Sequence, residues 1–320
     1  MSVPCRWCGA TDPARRFFAR ERMFGGGESF AYLECARCGS LSIERVPSDL
    51  AKHYPASYYS FAVAAQEPHG ENARAVRRLV LSLALATRRV ITGRPFLRTG
   101  IAPPPWLVAS GVAPTSPILD IGCGAGHLVM SMYNWGFTNL TGIDPFRASD
   151  ATPAPGVALL ARDAAAHDGA YALVMLHHTL EHAPDPQALL EDARRLVAPG
   201  GAVVVRIPLA RSAAWDEYGV DWIQLDPPRH LHVPTESAFI AKADSLGLAL
   251  ERSGHDSTAF QHWGSEQWRR GMPLADPRSY AVAPRRSTFS ASEIAAFDRR
   301  ANEANRAMRG DQGWFLLRRV

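Results

Sequence analysis

Lysine is almost missing from this chain. Lys52 and Lys242 are the only two in 320 residues, and arginine supplies the rest of the positive charge. With alanine and proline also frequent, this reads as the bias of a GC-rich coding sequence and carries no functional content. An excess of one charge sign is missing too: the formal net charge is +4 at pH 7. That is too weak to argue for nucleic-acid binding without a localised patch. Long apolar runs are absent. The best, Leu79 to Ala86, falls well short of the ~20 residues needed to span a bilayer. The polar start of the chain does not read as a secretory signal, so a cytoplasmic location is expected. No repeat or low-complexity tract is visible. The composition is otherwise 47% hydrophobic and 21% charged, ordinary values for a soluble globular protein with one large domain and one small one.

Cysteine is scarce but ordered. Four of the five cysteines form two pairs, Cys5/Cys8 and Cys35/Cys38, and the fifth is Cys123. In a chain of cytosolic character, paired Cys-x-x-Cys units read as metal ligands before disulfides. Two thiolates separated by two residues grip one tetrahedral ion from a tight turn, and Gly9 and Gly39 follow the second cysteine of each pair. A closed four-thiolate site predicts structural zinc. Its role is to stabilise a module too small for a full core, and it need not touch catalysis. The competing reading is a pair of free or redox-active dithiols.

Three regions emerge from the pattern of the chain: a zinc-binding module over 1–60, a helical connector over 61–110, and an α/β domain over 111–320. The connector is expected to hold a helix from Glu71 to Ile91, closed by Gly93 and Pro95. Its apolar body is flanked by Arg74, Arg77, Arg78, Arg88 and Arg89, so it either packs across the core or lies on an anionic membrane. Strands are predicted at 118–121, 140–143, 157–160, 171–176, 202–207, 248–252 and 314–319. They alternate with helices at 124–135, 185–197 and 235–246. The fold class is therefore α/β: a Rossmann-like, seven-stranded, mostly parallel sheet with helices on both faces, plus a small zinc-ribbon-like N-terminal module. Residues 255–308, with Trp263, Trp268 and a helix from Ser290 to Arg309, form a helical insertion serving as a cap or dimer surface. The oligomeric state stays open.

The first predicted strand runs into Asp120-Ile121-Gly122-Cys123-Gly124-Ala125-Gly126-His127. Glycines there let the backbone approach a ligand at a helix N-terminus. The second strand ends in Gly142-Ile143-Asp144, where an acidic residue suits two ribose hydroxyls. Asp163 comes after the third strand, where it could meet an adenine amino group. Cys123 reads as a packing residue inside the loop. This set resembles the class I S-adenosylmethionine-dependent methyltransferases. Asp120-x-Gly122-x-Gly124-x-Gly126 matches their first motif and Gly142-Ile143-Asp144 their second. Leu196-Val197-Ala198-Pro199-Gly200-Gly201 matches their late helix–turn–strand motif. The resemblance covers residues 111–254. It implies S-adenosylmethionine as cofactor, with the Gly122–Gly126 loop on its methionine part, Asp144 on its ribose and Asp163 on its adenine. A nicotinamide-binding domain is the alternative, but its usual pattern is Gly-x-Gly-x-x-Gly.

The fourth strand leads into His177-His178-Thr179-Leu180-Glu181-His182-Ala183-Pro184-Asp185-Pro186, aimed at the cofactor mouth. This segment resembles one found in small-molecule and sugar methyltransferases. There its first part, here His177, lines the methionine end, and the Glu-His pair lies near the acceptor. A methyltransferase positions its acceptor and removes a proton, work suited to histidine. His182 is the first choice of base, His178 the second, and Glu181 an orienting group or alternative base. The competing reading gives Glu181 and His182 packing or capping roles. A metal held by His177, His178 and His182 is disfavoured, since no acidic cluster completes it. A second segment, Asp226-Pro227-Pro228-Arg229-His230-Leu231-His232, belongs to an acceptor-facing loop that also resembles sugar and polysaccharide methyltransferases. Arg229, His230 and His232 could hold a hydroxylated or phosphate-bearing acceptor. The tract His53-Tyr54-Pro55-Ala56-Ser57-Tyr58-Tyr59 resembles the tyrosine-rich stretch after the zinc module of nucleotide-sugar C-methyltransferases, so Tyr58 and Tyr59 could close over substrate. The chain departs from those enzymes in lacking their large extra C-terminal domain, which argues against C-methylation of a keto-sugar.

The expected function is methyl transfer to a sugar, glycan intermediate or related small metabolite, with peripheral membrane contact an option. Two alternatives are an RNA methyltransferase with a zinc module and a non-catalytic, zinc-containing interaction protein. Diffuse charge and the lack of an Asn-Pro-Pro-Tyr-like motif after the fourth strand argue against RNA.

Overall fold

A computed structural model of the chain describes residues 4–55, 58, 69–87 and 103–320. Its strands are β1 (Pro13–Arg20), β2 (Ser29–Cys35), β3 (Leu41–Ile43), β4 (Ile118–Ile121), β5 (Leu140–Ile143), β6 (Ala151–Ala154), β7 (Val157–Leu160), β8 (Tyr171–His177), β9 (Val197–Pro208), β10 (His232–Val233), β11 (Leu248–His255) and β12 (Gln312–Arg319). The α-helices are α1 (Glu71–Thr87), α2 (Pro105–Ser110), α3 (His127–Asn134), α4 (Pro186–Leu196), α5 (Ala213–Tyr218), α6 (Glu236–Ser245), α7 (Phe260–Arg269) and α8 (Ala291–Arg306).

The large sheet runs β11-β12-β9-β8-β4-β5-β7-β6. From β9 to β7 the neighbours are parallel, whereas β12 is antiparallel to both β9 and β11. All seven expected strands are present. The eighth, β6, reads Ala-Thr-Pro-Ala. It is mostly exposed and pairs antiparallel with β7 at the sheet edge, where a proline is tolerated. Central strands are continuous apolar runs because both faces are covered: Val174, Leu176, Val203 and Val205 pack with α4 and α6, and Leu173, Met175, Val204 and Leu316 pack with α2 and α3. Helix α4 starts where Asp185 accepts from the Gln187 and Ala188 amides and Pro186 takes the first position. It buries Leu190, Ala193 and Leu196.

Helix α1 packs across the core. Leu81 and Ala84 are buried, Arg74 lies over Tyr133 and Arg77 over Trp135. Its outer face keeps Val76, Leu79 and Leu83 exposed. The expected continuation to Ile91, with Arg88 and Arg89, lies outside the described residues. Among those described, no helix is long and apolar enough to cross a membrane. The segment over 255–308 has its own aromatic packing: Trp263 against Phe260 and Tyr280, and Phe289 against Phe297. Trp268, expected at a surface, is 1% exposed.

The small sheet runs β1-β2-β3-β10, so its fourth strand comes from the α/β domain. His232 pairs with Ser42 and Val233 with Leu41. Trp7, inside the first cysteine pair, is buried in the main core 6.2 Å from Phe239. The cysteine module and the α/β domain thus share a sheet and a core.

Candidate functional site

The four paired cysteines meet. Cys5 and Cys38 Sγ are 3.7 Å apart, and Cys8 and Cys35 Sγ are 3.5 Å apart. Thiolates at about 2.3 Å from one tetrahedral ion lie about 3.8 Å from each other, so the spacing fits a metal and is far too long for disulfides. The four side chains could hold one metal ion.

On the main sheet, β4 delivers the chain into a turn in which Gly122, Gly124 and Gly126 all have positive φ, at 76°, 53° and 92°. A Cβ on Gly122 would strike Thr179, and one on Gly126 would strike Leu159. Asp144, at the end of β5, accepts from the Gly124 amide at 2.9 Å and the Phe146 amide at 2.8 Å. Arg147 donates to the Gly124 carbonyl and pins the turn from outside. Asp120 is buried with its Oδ1 unpartnered, and burial plus the charge of Asp144 pushes its carboxyl up to about 8. Cys123 packs against Gly142, and burial raises its thiol well above the ordinary range, so it is a protonated packing residue. Asp163 is exposed and caps the turn after it, accepting from the Ala165 amide. His177 is held against Trp106 at 5.3 Å, and burial keeps its imidazole neutral. Phe146 is 80% exposed beside Asp144. It carries no signal in the sequence, because a single aromatic has no pattern.

A side-chain-poor cradle next to a carboxylate and an open aromatic face fits a nucleoside bearing an amino-acid tail. Comparison with known proteins bears on this. The family model for the methyltransferase domain matches residues 70–253. The chain belongs to the methyltransferase-domain family. Curated relatives include ubiquinone biosynthesis O-methyltransferases from Sodalis glossinidius, 34% identical over 41% of this chain and 56% of that protein, and from Escherichia coli, 31% identical over 42% and 61%. The chain therefore spans little more than half the length of the curated relatives it matches. Similar solved structures include an S-adenosylmethionine-dependent methyltransferase from Mesorhizobium loti (17% identity, 64% of this chain and 91% of that one, TM-score 0.41). Another is magnesium protoporphyrin IX methyltransferase from Synechocystis (16%, 66% and 94%, TM-score 0.40). The family model and the curated relatives bear on a methyltransferase, and the names of those relatives do not bear on the expected carbohydrate role.

Beyond the donor turn lies a cluster of imidazoles. Thr179 Oγ1 donates to the Ile121 carbonyl at 3.0 Å, locking the 177–182 segment onto the glycine turn. His178 adopts a left-handed φ of 53°, costly for a non-glycine residue. Its ring is fixed at both ends, with Nδ1–H donating to Glu181 Oε1 at 3.1 Å and Nε2 accepting from Arg206 at 2.9 Å. The expected role of His178 as second-choice base does not fit a ring with both nitrogens engaged. Glu181 is fully buried. Burial pushes its carboxyl up, but the His178 bond and the neighbouring imidazoles override this and hold it down to about 2. His182 donates from Nδ1 to the Arg229 carbonyl at 2.9 Å, next to the Tyr54 hydroxyl at 3.0 Å. Burial and the adjacent His230 lower its imidazole to about 4, so it is neutral near pH 7. The rings of His182 and His230 are 4.7 Å apart.

Two expected substrate groups take other roles. Arg229 is fully buried. It donates to both oxygens of Asp226, to Glu21 at 2.9 Å and to the His53 carbonyl at 3.1 Å, so its guanidinium is held inside an ion network and is not presented to an acceptor. Tyr58 is 2% exposed and wedged against Tyr54 and Phe24, an anchor rather than a lid. Tyr59 lies outside the described residues. His232 sits in β10, buried between the cysteine module and the loop, with Nδ1 3.4 Å from Ser42. Tyr54, part of the aromatic tract but given no role by the sequence, reaches the cluster. Its hydroxyl meets His182 across 128 residues of sequence, a proximity that no spacing rule reveals.

Proposed function

We propose that the chain transfers a methyl group from S-adenosylmethionine to a hydroxyl of a small-molecule acceptor held at the Glu181–His182–His230 face. The observation that carries this reading is the Thr179–Ile121 hydrogen bond, which joins the imidazole cluster to the edge of the glycine turn. When bound, S-adenosylmethionine supplies an electrophilic methyl on a sulfonium, so the protein's work is placement and proton removal. The Gly122–Gly126 turn takes the amino-acid tail, Asp144 the ribose hydroxyls, and Phe146 with Asp163 the adenine. His177 and Trp106 close the apolar side. The acceptor's proton leaves toward the imidazole cluster, where donation from Nδ1 to a carbonyl leaves Nε2 as the basic nitrogen of His182. The cysteine cluster takes zinc and acts through structure, holding the sheet that carries β10.

The test uses donor with a labelled methyl group, offered with hydroxylated aromatics, nucleotide sugars, glycans and RNA in parallel. Label is expected on a hydroxyl of a small molecule. The aromatic and sugar arms separate the chemistry in the relatives' names from the carbohydrate expectation. Label on RNA alone overturns the reading. Calorimetry should show donor binding, weakened at least ~10-fold by Asp144→Ala, since two hydroxyl contacts are worth about 1 kcal/mol each or more. A native chain with no affinity for the donor or its demethylated product also overturns it.

A further inference from the structure

We propose that Glu181, His182 and His230 form a second metal site, for a first-row divalent cation bound through nitrogen and oxygen. The proposal rests on the acceptor-face reading and deepens it. One potential ligand atom from each residue lies within 4.8 Å of the others. Each residue's other polar atom is already committed. His182 Nδ1–H donates to the Arg229 carbonyl, His230 Nδ1–H donates to the Gln224 carbonyl at 2.7 Å, and Glu181 Oε1 accepts from His178. What remains is Nε2, Nε2 and Oε2. Glu181 Oε2 is buried without any partner on a side chain that is 0% exposed.

The electrostatics of this arrangement argue for a cation. Donation from Nδ1 to a carbonyl in both rings leaves each Nε2 as the nitrogen free to offer its lone pair to a cation. These two nitrogens and the unpartnered Glu181 Oε2 belong to residues whose potential ligand atoms approach within 4.8 Å, and a carboxylate oxygen buried without a hydrogen bond is costly. A divalent ion partners all three atoms at once. Imidazoles whose Nδ1–H is fixed by backbone carbonyls, and a carboxylate oriented by a further histidine, are the outer partners that metal ligands commonly have. Two histidines and one glutamate leave coordination positions open, as catalytic sites do and closed structural sites do not. With an ion bound, His182 Nε2 would be a ligand in place of a base, and an acceptor hydroxyl at an open position would instead release its proton to solvent at lower pH than it does in water. The two metal sites would differ in kind: four soft thiolates select zinc, whereas the nitrogen–oxygen site also accepts harder ions such as Mn²⁺.

That difference supplies the test. The full chain, with zinc in its cysteines and loosely held ions removed by a mild chelator, is titrated with Mn²⁺ and followed by electron paramagnetic resonance. One saturable equivalent is expected. His230→Ala and Glu181→Gln should each weaken it at least ~10-fold, with zinc content unchanged as the sign that the fold survives. No saturable Mn²⁺ binding to the native chain overturns the proposal. So does binding that both substitutions leave unaltered. If either variant misfolds, Co²⁺ added to the native zinc-loaded chain decides: a nitrogen–oxygen spectrum supports the site, and the absence of a second Co²⁺ spectrum refutes it. Donor affinity is measured separately. Donor binding without Mn²⁺ removes only the metal inference, and Mn²⁺ binding without donor removes only the methyltransferase reading.

Discussion

Arg229→Met is the most informative single change outside the chemistry. In the native chain the guanidinium spans Asp226 and Glu21, and all three side chains are at most 5% exposed. Methionine has a similar reach but no charge, so the variant leaves two buried carboxylates facing an apolar side chain. Glu21 retains bonds from the Phe24 and Gly26 amides, which softens its loss. Asp226 has no comparable second donor among the described residues. Breaking a buried ion pair by removing one partner costs about 3–5 kcal/mol, and with two carboxylates orphaned the upper end applies. At ~2–4 °C per kcal/mol for a chain of this size class, Tm should fall by about 10 °C or more at pH 7–8.

The pH dependence gives a sharper check. Burial pushes the Asp226 carboxyl up, but Arg229 outweighs it and holds the group below its ordinary value. A depressed carboxylate contributes stability above its unfolded pKa of ~4 and loses it as pH falls below that. Without Arg229, burial wins, the orphaned carboxyls take up protons, and the penalty shrinks toward pH 5. Scanning fluorimetry of native and variant chains between pH 5 and 8 should therefore show Tm curves that converge on the acid side. A Tm loss under ~2 °C at pH 7.5, or curves that diverge as pH falls, refutes the reasoning. Donor affinity should hardly change, because none of these residues touches the glycine turn.

Asp120→Asn should flatten the alkaline side of the stability curve. The native carboxyl is raised to about 8, so its favourable share is full below pH ~4 and is shed as pH climbs through 8. The variant should therefore gain on the native chain as pH rises from ~4 to 8, by up to about 5 kcal/mol from the shift, and a stability difference between variant and native from urea midpoints that is the same at pH 6 and 8.5 would refute this. Cys38→Ser should remove bound zinc from the cysteine cluster and unfold the small sheet, since structural zinc supplies about 10 kcal/mol or more of folding energy. Limited proteolysis should then cut both the cysteine module and the loop over 219–235, while donor binding persists. A module that stays protease-resistant without zinc would contradict this.

The large sheet was legible because its central strands are apolar runs bounded by Gly and Pro, and because Asp185-Pro186 and Pro199-Gly200-Gly201 punctuate α4 and the entry into β9. Strand β6 was not: a proline and three exposed residues carry no strand signal, and only its pairing with β7 defines it. The cysteine cluster was legible from spacing alone. The role of Arg229 was not, because sequence reports a charge but not its burial. With Asp226 three residues before it and Glu21 far away, an ion network and an acceptor clamp look alike. The pairing of Glu181 with His230 was out of reach for the same reason. Proximity in sequence groups His177, His178 and His182 as a metal set, whereas the fold turns His178 onto Arg206 and brings His230 in from another loop.

The shared sheet changes what the cysteine module is for. The loop over 226–235 is held on one side by that module: Tyr32 donates to the His230 carbonyl at 2.8 Å, the Ile43 amide to the Leu231 carbonyl at 2.9 Å, and Thr235 to the Cys38 carbonyl at 3.0 Å. From the other side the Leu231 amide reaches the Glu181 carbonyl at 2.8 Å. The position of His230 opposite Glu181 is therefore set by hydrogen bonds running from the second cysteine pair through β3 and the loop to the 177–182 segment. A metal that orders the cysteines also orders the imidazole face, and this is coupling through a contiguous hydrogen-bonded network. The sequence leaves open whether the module meets the substrate, and on the proposed reading these bonds make it the far wall of the acceptor face.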